Sequence, residues 1–219
     1  MSGAEFEFGL WLSALPLLLA AATLTWLLSL PLRNAGIVDP LWSLMLFAAG
    51  VVYALDSDPR APRLSLVLWL CAVWAARMAW HLARSQGPGE PAAYAELRAR
   101  HAPHFALKSL LRVFVFRALC AWVVSLPLMG AFASLRPWSW LEFLALALWG
   151  AGFLVEMAAA LRRHRLAALL GECCVWWGFY GFALSAGAWW ALPGPLLMTG
   201  LLLAAARAAT NGRIMRTTS

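Results

Sequence analysis

Charge is scarce in this sequence. Only 12% of its 219 residues are Asp, Glu, Lys or Arg, about half the share expected of a soluble domain. A disordered chain is polar and charge-rich, so that class is excluded as well. Cysteine is sparse too. Cys71, Cys120, Cys173 and Cys174 fall on three predicted helices and form no C-x-x-C pair. Two adjacent cysteines are poor partners for a disulfide and poor joint ligands for one metal. They are read as small apolar helix residues. His101 and His104 have Pro103 between them and no third ligand nearby, so no metal site is expected. There is no G-x-G-x-x-G or P-loop run for a phosphate and no G-x-S-x-G nucleophile elbow. Runs of alternating pattern long enough for a barrel are missing. So are the basic helix and RNA-binding motifs that a nucleic-acid partner would require.

What is there is apolar. Hydrophobic residues make up 63% of the chain, mean hydropathy is +0.74, and 14 residues are Trp, a residue enriched at membrane interfaces. The length accommodates seven crossings of roughly 20 residues each. Uncharged runs place them at about 8–32, 38–55, 64–82, 112–135, 138–160, 172–191 and 195–209. Pro193-Gly194-Pro195 splits the long run after Cys173 into two. Glu5 and Glu7 precede the first run, which is also too long for the core of a cleavable signal peptide. The expected fold is all-α: one polytopic transmembrane helix bundle spanning 1–219, with a larger loop at 84–108.

The charges test that topology. Alternation from the N-terminus assigns 14 of the 17 basic residues to one face and only Arg60, Arg63 and Arg136 to the other, while the acidic residues divide five and five. The +7 net charge thus separates into +9 and −2. The positive-inside rule makes the basic face cytoplasmic, with the N-terminus out and the C-terminus in. Lipid, not nucleic acid, is the partner such a surplus implies.

Ionisable groups at the mouths of spans are costly and mark functional candidates. Here Asp39 opens the second span, and Arg77 and His81 sit near the inner end of the third. Arg112 and Arg117 begin the fourth, Glu156 ends the fifth and Glu172 opens the sixth. All lie at the predicted cytoplasmic side, where a cavity would need acids and bases at one depth above apolar walls. A short helix, Ala92 to Arg100, carries Tyr94 and Arg98 over that region. Each residue also has a structural explanation. Arg77 can snorkel, Asp39 and Glu172 can cap helix N-termini, and Glu156 can pair with Arg162 or Arg163.

These residues sit in runs that resemble a known family. Arg33-Asn34-Ala35-Gly36-Ile37-Val38-Asp39-Pro40-Leu41-Trp42-Ser43 resembles the opening motif of bacterial steroid 5-alpha-reductase-like membrane proteins. These are a domain-of-unknown-function family, related to the C-terminal domain of 3-oxo-5-alpha-steroid 4-dehydrogenases and more distantly to isoprenylcysteine carboxyl methyltransferases. Trp74-Ala75-Ala76-Arg77 with His81-Leu82, Tyr94 to Arg100, Val123-Val124-Ser125-Leu126-Pro127, and Gly171-Glu172-Cys173-Cys174-Val175-Trp176-Trp177-Gly178-Phe179-Tyr180 are similar to its later motifs, in order, between about residues 20 and 203.

The resemblance implies an NADPH-dependent reductase of a C=C bond in a lipophilic substrate, in the bacterial inner membrane, with its site facing the cytoplasm. It implies Glu156, Tyr94 and Glu172 as acid or orienting groups. It implies Asp39, Trp42, Arg77, Arg98, Arg162, Arg163 and His164 around the cofactor. Two stretches depart from the pattern. Ala160 and Arg162 stand where the family has Asp and Gln, and only Leu161 to Gly171 stands where a longer R-H-P-N-Y loop is expected. The C-terminal stretch from Ala204 keeps only Arg216-Thr217 of the family's ending. The chain therefore reads as an internally shortened, C-terminally degenerate member. Two other functions fit it: a non-catalytic membrane scaffold or lipid-binding protein, and a membrane methyltransferase.

Overall fold

The computed structural model describes residues 4–87, 89–162 and 164–217, with side chains up to Arg207. Among the described residues all regular structure is helical. Seven segments are long and apolar enough to cross a membrane: Phe8–Leu32, Ala35–Leu55, Leu64–Ser85, Phe105–Phe132, Trp140–Arg162, Arg165–Ser185 and Trp189–Arg207. This is the pattern that backbone chemistry demands in lipid, where helices satisfy their own N–H and C=O groups.

The first three predicted spans agree closely with α1 (Phe8–Leu32), α2 (Val38–Leu55) and α3 (Leu64–Ser85). The loop after α3 contains α4 (Ala92–His101), as the Ala92 to Arg100 stretch predicts. Later boundaries move. The fourth segment begins at Phe105, well before 112. It runs through α5 (Phe105–Ser109), a π turn (Leu110–Val115), α6 (Phe116–Val124) and α7 (Leu126–Phe132). Lys108 and Arg112 are exposed there, so their charges do not stop the helix. α8 covers Trp140–Arg162, and α9 covers Arg165–Ser185, starting seven residues before the expected 172. Leu166 to Leu170 contains no helix breaker, and Arg165 tolerates an exposed first turn. α10 (Pro193–Thr217) opens on a proline, which the first helical position tolerates because its missing N–H has no partner there anyway.

The helices gather into two compact units. In one, residues 7–59 and 64–125, α2 contacts α1, α3 and α6. Ser43 Oγ donates to Ala75 O at 3.1 Å, tying α2 to α3. Trp11 and Trp122 stack with centroids 3.7 Å apart and planes 8° from parallel. Each indole N–H donates to the other residue's carbonyl, at 3.3 and 2.7 Å. The Val123–Pro127 motif marks a helix break. Pro127 lacks an N–H and its ring displaces the carbonyl four residues back. At the break Ser125 Oγ lies 3.1 Å from the Tyr53 hydroxyl.

In the other unit, residues 1–6, 60–63 and 126–219, α9 contacts α7, α8 and α10. The α8–α9 contact is close because glycines line it. A Cβ on Gly152 would lie 2.6 Å from Gly171 O, and one on Gly178 would lie 2.8 Å from Trp149 Cβ. Without a hydrophobic drive between helices in lipid, such close backbone approach is what favours association. The two glycines of the Gly171–Tyr180 motif are thus packing residues.

Candidate functional site

The densest polar cluster is built on the Arg33–Ser43 motif. Arg33 closes α1 in the left-handed region at φ 48°. Asn34 Oδ1 then accepts from Gly36 N at 2.9 Å, and its amide donates to Gly89 O at 3.1 Å. Ala35 N donates to Glu90 Oε1 at 2.8 Å. Gly36 must lack a side chain here, since a Cβ would stand 2.5 Å from Pro91 Cδ. Gln86 Nε2 donates both to Gly36 O at 2.9 Å and to Asp39 Oδ2 at 3.1 Å. The loop after α3 is thereby fastened to the first turn of α2.

Asp39 sits in that turn, where the helix dipole favours a carboxylate. Its Oδ1 accepts from the Tyr94 hydroxyl at 2.7 Å and from Arg117 Nη2 at 2.7 Å. Arg117 Nη2 is also 3.3 Å from the Tyr94 oxygen, and its guanidinium lies 5.6 Å from the centroid of the Trp42 ring. The π turn Leu110–Val115 ends just before Arg117. One extra residue in a turn rotates the rest of the helix by about 100°, which sets the azimuth from which Arg117 reaches Asp39. Burial raises the Tyr94 phenol well above its ordinary range; the Arg117 charge opposes this and the Asp39 charge adds to it. Next to this trio, Glu90 holds Arg98 through two 2.8 Å hydrogen bonds. The Arg98 bond lowers the Glu90 carboxyl and raises the guanidinium. Arg98 also lies 4.4 Å above the Phe105 ring.

Of the predicted residues, Asp39, Trp42, Tyr94 and Arg98 are therefore gathered around the start of α2. Arg77 is half-buried on α3 in the same unit. The others belong to the α8–α9 pair. Glu156 and Glu172 are both buried, and a Cβ on Gly171 would meet Glu156 Cγ at 2.7 Å. Glu172 lies two turns into α9, so it does not cap the helix. His164 does, its Nδ1 accepting from Ala167 N at 3.3 Å. Arg162 is exposed at the end of α8, and Arg163 lies outside the described residues. Likewise Arg112 and Arg117 lie within the fourth helical segment, not at its beginning, because the helix extends outward to Phe105.

Sequence reasoning undervalues Arg117 and passes over Gln86 and Glu90. Arg117 has a signal, an arginine within an apolar run; the other two lie in a polar loop where nothing distinguishes them. It also misses the buried ion pair of Arg63 and Glu142, whose side chains are both fully buried. Arg63 Nε donates to Glu142 Oε1 at 2.8 Å and to Ser185 Oγ at 3.1 Å. Its terminal nitrogens reach the carbonyls of Arg136 and Pro137 at 3.0 and 3.2 Å. Ser139 N and Oγ supply Glu142 Oε2 at 2.7 and 2.6 Å. Every strong partner here is internal, as a buried pair requires.

The donor chemistry divides when set against a dinucleotide. Arg98 and Arg117 are each about one-third exposed, at 39% and 35%, and each uses only part of its guanidinium edge on a carboxylate. Forked donors of this kind suit phosphate oxygens. The α8–α9 connection does not fit. α8 ends at Arg162 and α9 begins at Arg165, the His164 ring is spent on a cap, and Arg165 Nη2 donates to Ala205 O at 3.1 Å. Among the described residues no group of three His, Cys, Asp or Glu could hold a metal ion.

The DUF1295 family, described as a protein of unknown function, matches residues 25–166 and 161–217. The chain belongs to this family. The two matched pieces overlap at 161–166, on the shortened connection, and the second piece extends to 217, taking in the C-terminal stretch from Ala204 that the motifs alone leave out. No curated protein and no solved structure matches the chain.

Proposed function

We propose, taking membership of this family as the premise, that the chain is a steroid 5-alpha-reductase-like membrane protein. It acts in the bacterial inner membrane on a lipophilic substrate with a C=C bond conjugated to a carbonyl, at a site facing the cytoplasm. The observation that carries this is the Tyr94 hydroxyl, held between the Asp39 carboxylate at 2.7 Å and the Arg117 guanidinium at 3.3 Å.

Arg98 and Arg117 are the residues that would hold the phosphates of NADPH, which when bound supplies hydride. The chain's own contribution is acid catalysis and orientation. The Tyr94 phenol is protonated at neutral pH, as an ordinary phenol is, and burial raises it further. Its O–H, which donates to Asp39 in the free protein, becomes the proton source for a substrate oxygen on which negative charge develops once that oxygen takes Asp39's place as acceptor. Asp39 holds that hydroxyl until the substrate enters, and Arg117, which donates to the phenol oxygen, tempers the charge left there when the proton departs. Glu156 and Glu172 are further acid or orienting candidates from the α8–α9 pair. The deciding experiment is NADPH binding by the purified protein in nanodiscs. Energy transfer from tryptophan to the reduced nicotinamide supports the proposal; no transfer and no thermal shift at millimolar cofactor overturns it.

A second reading has its own observation. The Arg162-to-Arg165 connection leaves no loop where the resemblance expects the R-H-P-N-Y element. That favours a non-catalytic membrane scaffold or lipid-binding member. Turnover that disappears in Tyr94→Phe eliminates this second reading.

A further inference from the structure

Most of the cationic side chains around α4 are compensated. Arg98 is bound by Glu90, Arg100 faces Glu96 at 3.8 Å, and Arg117 is bound by Asp39. The next turn of chain is different. Lys108 is exposed and has no carboxylate partner among the described residues. Arg112 is exposed as well, and its partner is the His101 imidazole, not a carboxylate. Two uncompensated cations thus stand four residues apart, on one side of a helical segment. Beside them Leu107 and Leu111 are 67% and 66% exposed. On the neighbouring α1, Trp26 Nε1 donates to Ala106 O at 2.8 Å, an aromatic of the kind enriched at the headgroup level.

We propose that Lys108 and Arg112, with Leu107 and Leu111, form a binding site for one anionic phospholipid. The cations take the headgroup phosphate, and the two leucines meet the first part of an acyl chain. The connectivity suits this. α4 has no buried residue and lies between two membrane-crossing segments, so α5 begins at a membrane surface. A free phosphate would need the cations alone, whereas the paired apolar row fits a ligand with both a charge and a hydrocarbon tail.

Native mass spectrometry of the full chain in detergent, titrated with phosphatidylglycerol or phosphatidylcholine, tests the proposal. Preferential retention of phosphatidylglycerol is expected. Lys108→Gln and Arg112→Gln should each weaken it roughly fivefold. Arg162→Gln, which removes an exposed cation at the end of α8, should leave it unchanged. Equal retention of the two lipids overturns the proposal, as does an equal loss in Arg162→Gln. Displacement of the lipid from the wild-type chain by inorganic phosphate at matched concentration, with Leu107→Gln and Leu111→Gln without effect, would assign the site to free phosphate and overturn it too.

Discussion

Arg63 and Glu142 lie 79 residues apart in sequence and form an ion pair with no exposed side-chain surface. Glu142 opens α8, and Arg63 also reaches Ser185 at the end of α9. One guanidinium therefore ties together a connecting segment and two helix termini.

Glu142→Gln is expected to destabilise the protein by about 3–5 kcal/mol, because it leaves a buried guanidinium without its counter-charge. Replacing both residues by apolar ones of similar volume should cost far less. Unfolding in detergent with added denaturant measures both; equal losses in the single and double variants would contradict the pairing.

Tyr94→Phe removes one hydroxyl and keeps the ring. Turnover of an enone-type lipophilic substrate should fall by about 10²–10⁴-fold, the range for loss of a positioned acid, with cofactor affinity little changed. Asp39→Asn keeps an acceptor but removes the charge that holds Arg117, and should weaken cofactor binding as well. Steady-state kinetics with separate binding titrations distinguishes the two effects.

Gly36→Ala tests the fastening of the loop to α2. The new methyl would stand 2.5 Å from Pro91 Cδ, a collision expected to cost about 1–3 kcal/mol. Faster hydrogen exchange in α4 than in α2 would report release of the loop.

The Glu90–Arg98 pair predicts an acid-side dependence. The Glu90 carboxyl is lowered in the folded chain, chiefly by its bond to Arg98. The pair's contribution is therefore complete above the unfolded carboxyl value of about 4.3 and is lost as pH falls through the lower, folded value. Glu90→Gln should reduce stability at neutral pH and flatten this dependence in thermal melts run from about pH 6 to 3.

Gly178→Leu should separate α8 from α9, since even a Cβ there would lie 2.8 Å from Trp149 Cβ. Loss of the compact form in mild detergent electrophoresis, with helix content retained, is the expected outcome.

Much of this molecule is legible from hydropathy alone, because lipid imposes one solution on a backbone. α1, α2 and α3 fall where uncharged runs place them. The same rule misplaces α5 and α9, whose first turns carry Lys108 and Arg165; a helix does not stop at a charge that can remain exposed. Asp39, Tyr94 and Arg98 are recognisable as polar groups near one predicted depth. Their mutual geometry is not, since it depends on Gln86, Glu90 and the azimuth of Arg117 after a π turn. Arg63 and Glu142 read in sequence only as outer-face charges, because burial of a fully satisfied pair depends on carbonyls of Arg136 and Pro137 that carry no sequence signal.

The Trp11–Trp122 pair has an optical consequence. Two indoles stacked 3.7 Å apart and 8° from parallel share their electronic transitions, so excitation belongs to the pair and not to either ring. Circular dichroism in the tryptophan bands should therefore carry a contribution that depends on α1 lying against α6 and that disappears in either single Trp→Phe variant. The contact between these two helices can be followed without any added label.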